Sequence, residues 1–432
     1  MAEWSVFKDK LSSFLPRQLV NFFYHFPRAV LANLYYRFPA KGLTVVGVTG
    51  TDGKTTTASL IYQILLLAGK KAALISTVSA KIGPDEFSTG LHVTSPDPWV
   101  LGRFLAEIRK GRMDYLILET TSHGLDQHRF WGVDFEVAVL TNVTREHLDY
   151  HRTFKKYLKA KGRLFKRVKT AVLNKDDPSF DYFNSVRANR SRLLTYALFR
   201  EADLTPRNFS FKTGLPGDFN QLNCLAAAAA GQALGINRAV IKKGLASFKG
   251  VTGRMEKIEL GQRFQVLIDF AHTPNALKNV LTTLRSQKAG GRLIVVFGCA
   301  GLRDQSKREK MGRIAGRLAQ ITLLTAEDPR TEDVNRIITQ IADGCLAVGA
   351  EEAVFKNELL CQTGKRLFFR IPDRRKAIRL AIEKLAQKGD RVIICGKGHE
   401  QSLCFGRVEK PWSDHREAEK ALEKRLKMDN GR

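Results

Sequence analysis

The sequence predicts an α/β protein with two sheets, and three observations carry that expectation. From residue 42 onward, short apolar runs alternate with stretches of helical periodicity, the pattern of mainly parallel strands joined by crossover helices. A loop rich in glycine and threonine, Gly47-Val-Thr-Gly-Thr-Asp-Gly-Lys-Thr-Thr-Thr57, follows directly on the first run. A second series of runs opens after Val251-Thr-Gly-Arg-Met-Glu256, so the 432 residues divide into at least two domains.

In chain order, residues 1–41 come first, a short basic segment in which Trp4, Phe7, Phe14, Phe22, Phe23, Tyr24, Phe26, Tyr35, Tyr36 and Phe38 are set among Arg17, Arg28, Arg37 and Lys41. Pro16 and Pro27 suit helix starts, because a first-turn proline gives up no intrahelical bond. Residues 42–254 form the first domain, with strands expected at Leu43 to Val48, Ala72 to Thr77, Tyr115 to Leu118, Val137 to Leu140 and Ala171 to Leu173. An alanine-rich helix is expected from Gln221 to Leu234. Residues 255–432 form the second domain, with strands at Gln265 to Asp269, Arg292 to Phe297, Gln320 to Leu324 and Arg391 to Cys395.

The loop gives the first domain its chemistry. Gly50 and Gly53 allow a tight turn whose N–H groups, with the start of the following helix, point at phosphate oxygens. Lys54 adds a point charge and the Thr55 hydroxyl suits Mg²⁺. Val48 stands where the general phosphate loop has its first glycine, so this is the shorter T-G-T-x-G-K-T form. Gly50, Thr51, Asp52, Gly53, Lys54, Thr55 and Thr56 are therefore the expected ATP-binding residues of a P-loop-type ATPase domain, and the domain after it is Rossmann-like.

The charge is +28, from 71 Lys and Arg against 43 Asp and Glu. Such an excess suits polyanions, but it is spread along the chain without a nucleic-acid motif, so no nucleic-acid partner is expected. The six cysteines are scattered, with no C-x-x-C pair and no histidine at zinc spacing. Neither a signal peptide nor a run of about 18 apolar residues is present. Cytoplasmic placement follows as the expectation.

Further motifs follow other strand ends, where open α/β sheets place ligands: Thr94-Ser-Pro96, Glu119-Thr-Thr-Ser-His-Gly-Leu-Asp-Gln-His-Arg129, Thr141-Asn-Val-Thr-Arg-Glu-His-Leu-Asp-Tyr-His151 and Asp269-Phe-Ala-His-Thr-Pro274. With the phosphate loop, from about residue 43 to 420, they resemble the Mur ligases, ATP-dependent amide-forming enzymes of peptidoglycan precursor synthesis. Within that family the similarity is to the UDP-N-acetylmuramoyl-tripeptide synthetases, the MurE type. The resemblance implies that Thr55, Glu119, His147 and a carbamate on Lys161 hold Mg²⁺. It makes Lys54, His147, Lys161 and Arg254 the catalytic set. Asn223 becomes an adenine contact, and Arg254, Asp269 and His272 nucleotide contacts from the second domain, with ATP between the domains. Thr94, Ser95, Thr121, Gln127 and Arg129 would read the muramoyl-peptide acceptor, Thr121 replacing the usual serine. Arg303, Glu327, Asp328, Arg330, Gly396 and Glu400 would read the incoming amino acid. Glu327-Asp328 departs from the family's D-N, so meso-diaminopimelate and L-lysine both stay open.

The reaction so implied joins the amino acid to a muramoyl-L-alanyl-D-glutamate acceptor through an acyl phosphate, in a monomer. About 41 residues precede the loop, too few for the UDP-gripping domain of the MurE type, which puts UDP recognition in question. Residues 1–41 have two readings of equal weight: aromatics packed on the ATPase domain, or a peripheral membrane contact, which would suit a lipid-linked acceptor. Ligases of the cyanophycin or folylpolyglutamate type, and a non-catalytic nucleotide-binding protein at the membrane surface, are the alternatives. The acceptor motifs oppose the first, and the retained Lys54, Glu119, His147 and Lys161 oppose the second.

Overall fold

The computed structural model describes residues 17–87, 95–287, 290–354 and 364–430. The chain divides into two compact units, residues 1–249 and 250–432. Trp4, Phe7, Phe14, Pro16 and Thr94 lie outside the described residues.

The first unit begins with helical turns at Arg17–Val20 and Asn21–His25 that run into α1 (Phe26–Tyr35). Its sheet is built from β1 (Thr44–Thr49), β2 (Ala72–Ile75), β3 (Ala80–Ile82), β4 (Asp85–Phe87), β5 (Tyr115–Glu119), β6 (Phe135–Leu140), β7 (Thr170–Asn174) and β8 (Arg192–Tyr196), in the order β4-β3-β2-β5-β1-β6-β7-β8. All pairs from β2 to β8 are parallel, and β3 and β4 add an antiparallel margin. Successive residues of β1 feed opposite cores. Val46 and Val48 pack with Ile61 and Ile64 of α2 (Lys54–Leu67), while Val45 joins Leu101 and Leu105 of α3 (Pro98–Lys110). Burial on both faces explains why these strands read as continuous apolar runs. The chain then passes through α4 (Ser122–Asp126) and α5 (Phe154–Gly162) to α6 (Asp218–Ala233), whose Ala226 to Ala230 are all buried in the α2 core.

The second unit has β9 (Glu256–Ile258), β10 (Gln265–Asp269), β11 (Leu293–Phe297), β12 (Ile321–Leu324), β13 (Glu351–Glu352), β14 (Leu367–Arg370) and β15 (Arg391–Cys395) in the order β13-β14-β12-β11-β15-β10-β9. Only the β9–β10 pair is antiparallel. A hairpin of β16 (Ser402–Phe405) and β17 (Val408–Pro411) precedes the closing helix α7 (Asp414–Asn430). Arg374 is wholly buried beneath it, held bidentately by Asp414 at 2.8 and 2.7 Å.

Strand β8, at the edge of its sheet, and β14, next to the edge strand β13, go beyond the sequence reading. Arg192-Leu-Leu-Thr-Tyr196 has an exposed first residue, and Leu367-Phe-Phe-Arg370 is short and ends on arginine, so neither is the uniform apolar run of a central strand. Among the described residues no helix is long and apolar enough to cross a membrane.

Candidate functional site

The loop after β1 meets the ends of two neighbouring strands. Gly53 is left-handed, with φ 79°, and any Cβ there would strike the Asn223 side chain; a Cβ on Gly50 would strike Thr141. The backbone comes this close only because both positions are glycine. From the β6 end, Asn142 clamps the loop twice: its Oδ1 accepts from Asp52 N at 3.0 Å and its Nδ2 donates to Asp52 O at 3.0 Å. Thr141 Oγ1 donates to the same carbonyl at 2.6 Å, and Thr51 N donates to Asn142 O at 2.8 Å. Lys54 Nζ donates to Thr51 O at 2.8 Å.

At the end of β5, beside β1, Glu119 is buried and its Oε2 accepts from the Thr55 hydroxyl and from Thr77 N, both at 3.0 Å. Below the loop, Lys161 of α5 is buried, donating from Nζ to Gly50 O at 2.6 Å with the Tyr157 ring 4.7 Å away. Burial, reinforced by the charge of Lys54, pushes its ammonium well below the usual lysine range, although Asp52 and Glu119 oppose the shift. The Tyr157 hydroxyl lies 2.9 Å from Thr51 Oγ1, so α5 braces the loop twice. His147 is left-handed, with φ 56°, and its ring lies 4.8 Å from that of His123 and 6.2 Å from that of Tyr157.

Asn223, expected at adenine, meets the loop itself. Its Oδ1 accepts from Thr57 at 3.3 Å and its Nδ2 donates to Asn220 at 3.2 Å. Among the described residues no group of three His, Cys, Asp or Glu could hold a metal ion. The donor set present, the Thr55 hydroxyl beside the Glu119 carboxylate, consists of hard oxygens and fits Mg²⁺ rather than a softer metal.

Four of the five expected acceptor residues form one cluster. Ser95 Oγ and Thr121 Oγ1 are 2.8 Å apart, and Thr121 also caps α4 by accepting from Gly124 N at 3.0 Å. Arg129 donates to Ser95 O at 2.5 Å and to Gln127 Oε1 at 2.9 Å. Tyr150, which the sequence did not single out, extends the cluster: Gln127 donates to its hydroxyl at 3.4 Å, and that hydroxyl donates to Asp126 at 3.1 Å.

In the second unit, Asp269 at the end of β10 accepts from Met255 N and Ala271 N, each at 2.7 Å, and so fixes the turn that carries Arg254. The Arg254 guanidinium stacks 4.5 Å above the Phe270 ring. His272 is half-buried and held neutral: desolvation first, then Lys307, pushes its ring down to about 3, against a bond with Phe270 O that favours the charged form. Glu327 is pushed up to about 8 by burial, with Lys307, Arg374 and Lys397 opposing, and its carboxylate lies against Gly396. Lys397 bridges Asp328, at 2.9 Å, and Glu400. Arg330 donates to Gly301 O at 2.9 Å, and Arg303 is exposed on the loop after β11. Lys307 and Lys397 are the cations the sequence reading passed over. Both are buried among the acidic groups, and nothing in their sequence spacing marks that.

Residues 48–231 match the Mur ligase middle domain, and residues 253–398 the Mur ligase, glutamate ligase domain. A UDP-N-acetylmuramoyl-L-alanyl-D-glutamate--2,6-diaminopimelate ligase of Geobacillus kaustophilus is 38% identical over 424 residues, covering 92% of this chain and 82% of that one. A UDP-N-acetylmuramyl-tripeptide synthetase of Roseiflexus is 38% identical over 427 residues, with 91% and 81% covered. Among solved structures, a UDP-N-acetylmuramoyl-L-alanyl-D-glutamate--2,6-diaminopimelate ligase is similar with TM-score 0.60 and 31% identity, over 92% of this chain and 83% of that one.

Proposed function

Since the chain belongs to the Mur ligase family, we propose that it is an ATP-dependent ligase that joins a diamino acid to a muramoyl-L-alanyl-D-glutamate acceptor in peptidoglycan precursor synthesis. The observation that carries the reading is Lys161, buried under the phosphate loop with its amine 2.6 Å from Gly50 O. An amine kept neutral there is the form that attacks CO₂. It loses a proton as the N–C bond forms, and the product is an anionic carbamate in place of a cation. Diaminopimelate is the amino acid favoured by the relatives' names. Two acidic side chains at 327 and 328, close to Lys397, keep lysine as the second candidate.

In this reading Thr55 and Glu119 would hold one Mg²⁺, and His147 with carbamylated Lys161 would hold a second; bound there, the ions would supply charge neutralisation at the phosphates. The loop N–H groups and Lys54 orient ATP, and Arg254 serves as a clamp on the γ-phosphate. Asn223 contacts adenine as well as bracing the loop, and Asp269 and His272 complete the nucleotide contacts. Ser95, Thr121, Gln127 and Arg129, with Thr94, present the acceptor carboxylate to phosphorus; ADP leaves and an acyl phosphate forms. Arg330 and Arg303 bind the carboxylates of the incoming amino acid, while Glu327, Asp328, Glu400 and the backbone at Gly396 receive its ammonium. The free amine then attacks the acyl carbon, phosphate leaves and the amide remains.

Among the described residues Cys224, Cys299, Cys345, Cys395 and Cys404 are reduced and buried, which supports a reducing compartment. The enzyme is read as a cytoplasmic monomer that meets the membrane only peripherally. The deciding experiment is amino-acid-dependent release of phosphate from ATP with UDP-muramoyl-alanyl-glutamate, testing diaminopimelate and lysine in parallel. Release with neither, from protein shown to bind ATP, would reject the reading for the soluble acceptor.

A further inference from the structure

The helical stretch ahead of the phosphate loop is inside out. A surface helix ordinarily turns its apolar face to the protein and its polar face to water. Here the buried side holds Asn21, Tyr24, His25, Ala29, Ala32 and Asn33. Asn21 donates to Asp126 Oδ2 at 2.8 Å, Arg28 to Asp97 at 3.0 Å, and Asn33 to Trp131 O at 2.6 Å. The outward side carries Leu19, Phe22, Phe23, Leu31, Leu34 and Tyr35, with Phe23 65% and Tyr35 71% exposed. Rolling the helix to bury that stripe would break all three polar attachments, so the bonds fix the orientation.

We propose that this outward face docks on an anionic lipid bilayer, its aromatic and leucine side chains entering the headgroup boundary. Charge complementarity selects the occupant. From Lys10 to Thr51 the chain carries Lys10, Arg17, Arg28, Arg37 and Lys41 and not one Asp or Glu, and Arg37 and Lys41 are exposed beside the stripe. Basic side chains around an apolar, aromatic face suit an anionic leaflet. A second copy would bring the same basic rim against itself. The face also has a route to the chemistry. The helix is bonded to Asp97 and Asp126, and the Phe26 ring lies 5.5 Å from His128 and 5.9 Å from Trp131. Resting on the acceptor reading above, docking holds the segments of Ser95, Thr121 and Arg129 one helix away from the bilayer, the position from which a lipid-carried acceptor would be met.

The test is co-sedimentation of the full chain with vesicles of phosphatidylcholine alone and of phosphatidylcholine containing roughly one third phosphatidylglycerol, at low and high salt. The wild type is expected to partition onto the anionic vesicles and to be released by salt. Phe22→Glu with Phe23→Glu should lower partitioning roughly tenfold or more, as should Leu34→Glu with Tyr35→Glu, with circular dichroism and turnover of the soluble acceptor unchanged. No anionic-vesicle binding by the wild type, or equal binding by both double variants, overturns the proposal. So does a wild-type dimer, seen by light scattering, that the variants split, because the face then serves a second copy. Vesicle binding without turnover of any acceptor would leave docking standing and sink the ligase reading.

Discussion

The Thr55 hydroxyl donates to Glu119 Oε2 across 3.0 Å, tying the first turn of the phosphate-loop helix to the end of the neighbouring strand β5. The same oxygen accepts from Thr77 N, so the carboxylate is positioned by the protein before any cation arrives. Glu119→Gln keeps a group of the same shape and removes the charge. Phosphate release is expected to fall on the order of 10²-fold or more, while the thermal midpoint moves little. A large fall in the midpoint with activity retained would show that the residue is structural.

Under the proposed function, Lys161 is expected to link activity to CO₂ and stability to pH. Turnover should decline in CO₂-depleted buffer and recover with bicarbonate, and Lys161→Met should abolish both the turnover and its recovery. In the unfolded chain the lysine stays protonated up to its ordinary value of 10.5, whereas burial in the fold pulls the ammonium well below that value. The unfolded state therefore binds the extra proton, and stability climbs as pH rises between the lowered folded value and 10.5, by up to about 1.4 kcal/mol per pH unit. Denaturant titrations at neutral and alkaline pH should show that slope in the wild type and a smaller one in Lys161→Met.

Glu327 should leave a signature in amino-acid binding. Its carboxyl titrates at about 8 in the fold against an ordinary 4.5, so across that window the fold keeps a proton that the unfolded chain has lost, and stability falls as pH rises. In the proposed function the anionic form is the one that would receive an ammonium. KM for the amino acid should accordingly fall as pH passes through 8 and should lose that transition in Glu327→Gln. An unchanged profile in the variant would remove Glu327 from the amino-acid site.

The Arg374–Asp414 pair, closed at 2.8 and 2.7 Å with both side chains fully buried, should govern the second unit's stability. Asp414→Asn leaves a buried guanidinium without its counter-charge and is expected to cost roughly 3–5 kcal/mol. Calorimetry should assign the loss to one of two transitions, because the first unit has its own core. Arg374→Leu with Asp414→Leu should recover part of it.

Much of this arrangement was legible in the residues because the motifs follow strand ends, and a strand end in an open parallel sheet is where the chain leaves the core for a ligand. Gly50, Lys54 and Glu119 could be placed that way, whereas Ser95, Thr121, Gln127 and Arg129 were marked by their resemblance to the Mur ligase acceptor motifs. Asn142 and Tyr157 could not, since their work is to hold the loop from elements far away in sequence and neither residue type signals that on its own. Lys307 and Lys397 read as ordinary surface lysines until burial is known. The N-terminal helix shows the limit most clearly: its aromatics were visible in the sequence, but which of them face water is set by Asn21, Arg28 and Asn33, whose partners lie about 70 to 105 residues away.

Gly53 and Asn223 occupy a single space, since a Cβ on the glycine would overlap the asparagine amide. The two positions are separated by the length of a domain in the chain, yet the glycine cannot drift alone. An alanine at 53 requires a smaller residue at 223, besides tolerating a left-handed backbone. The coupling should therefore run one way, and chains descended from this one should carry a side chain at 53 only where 223 has become smaller.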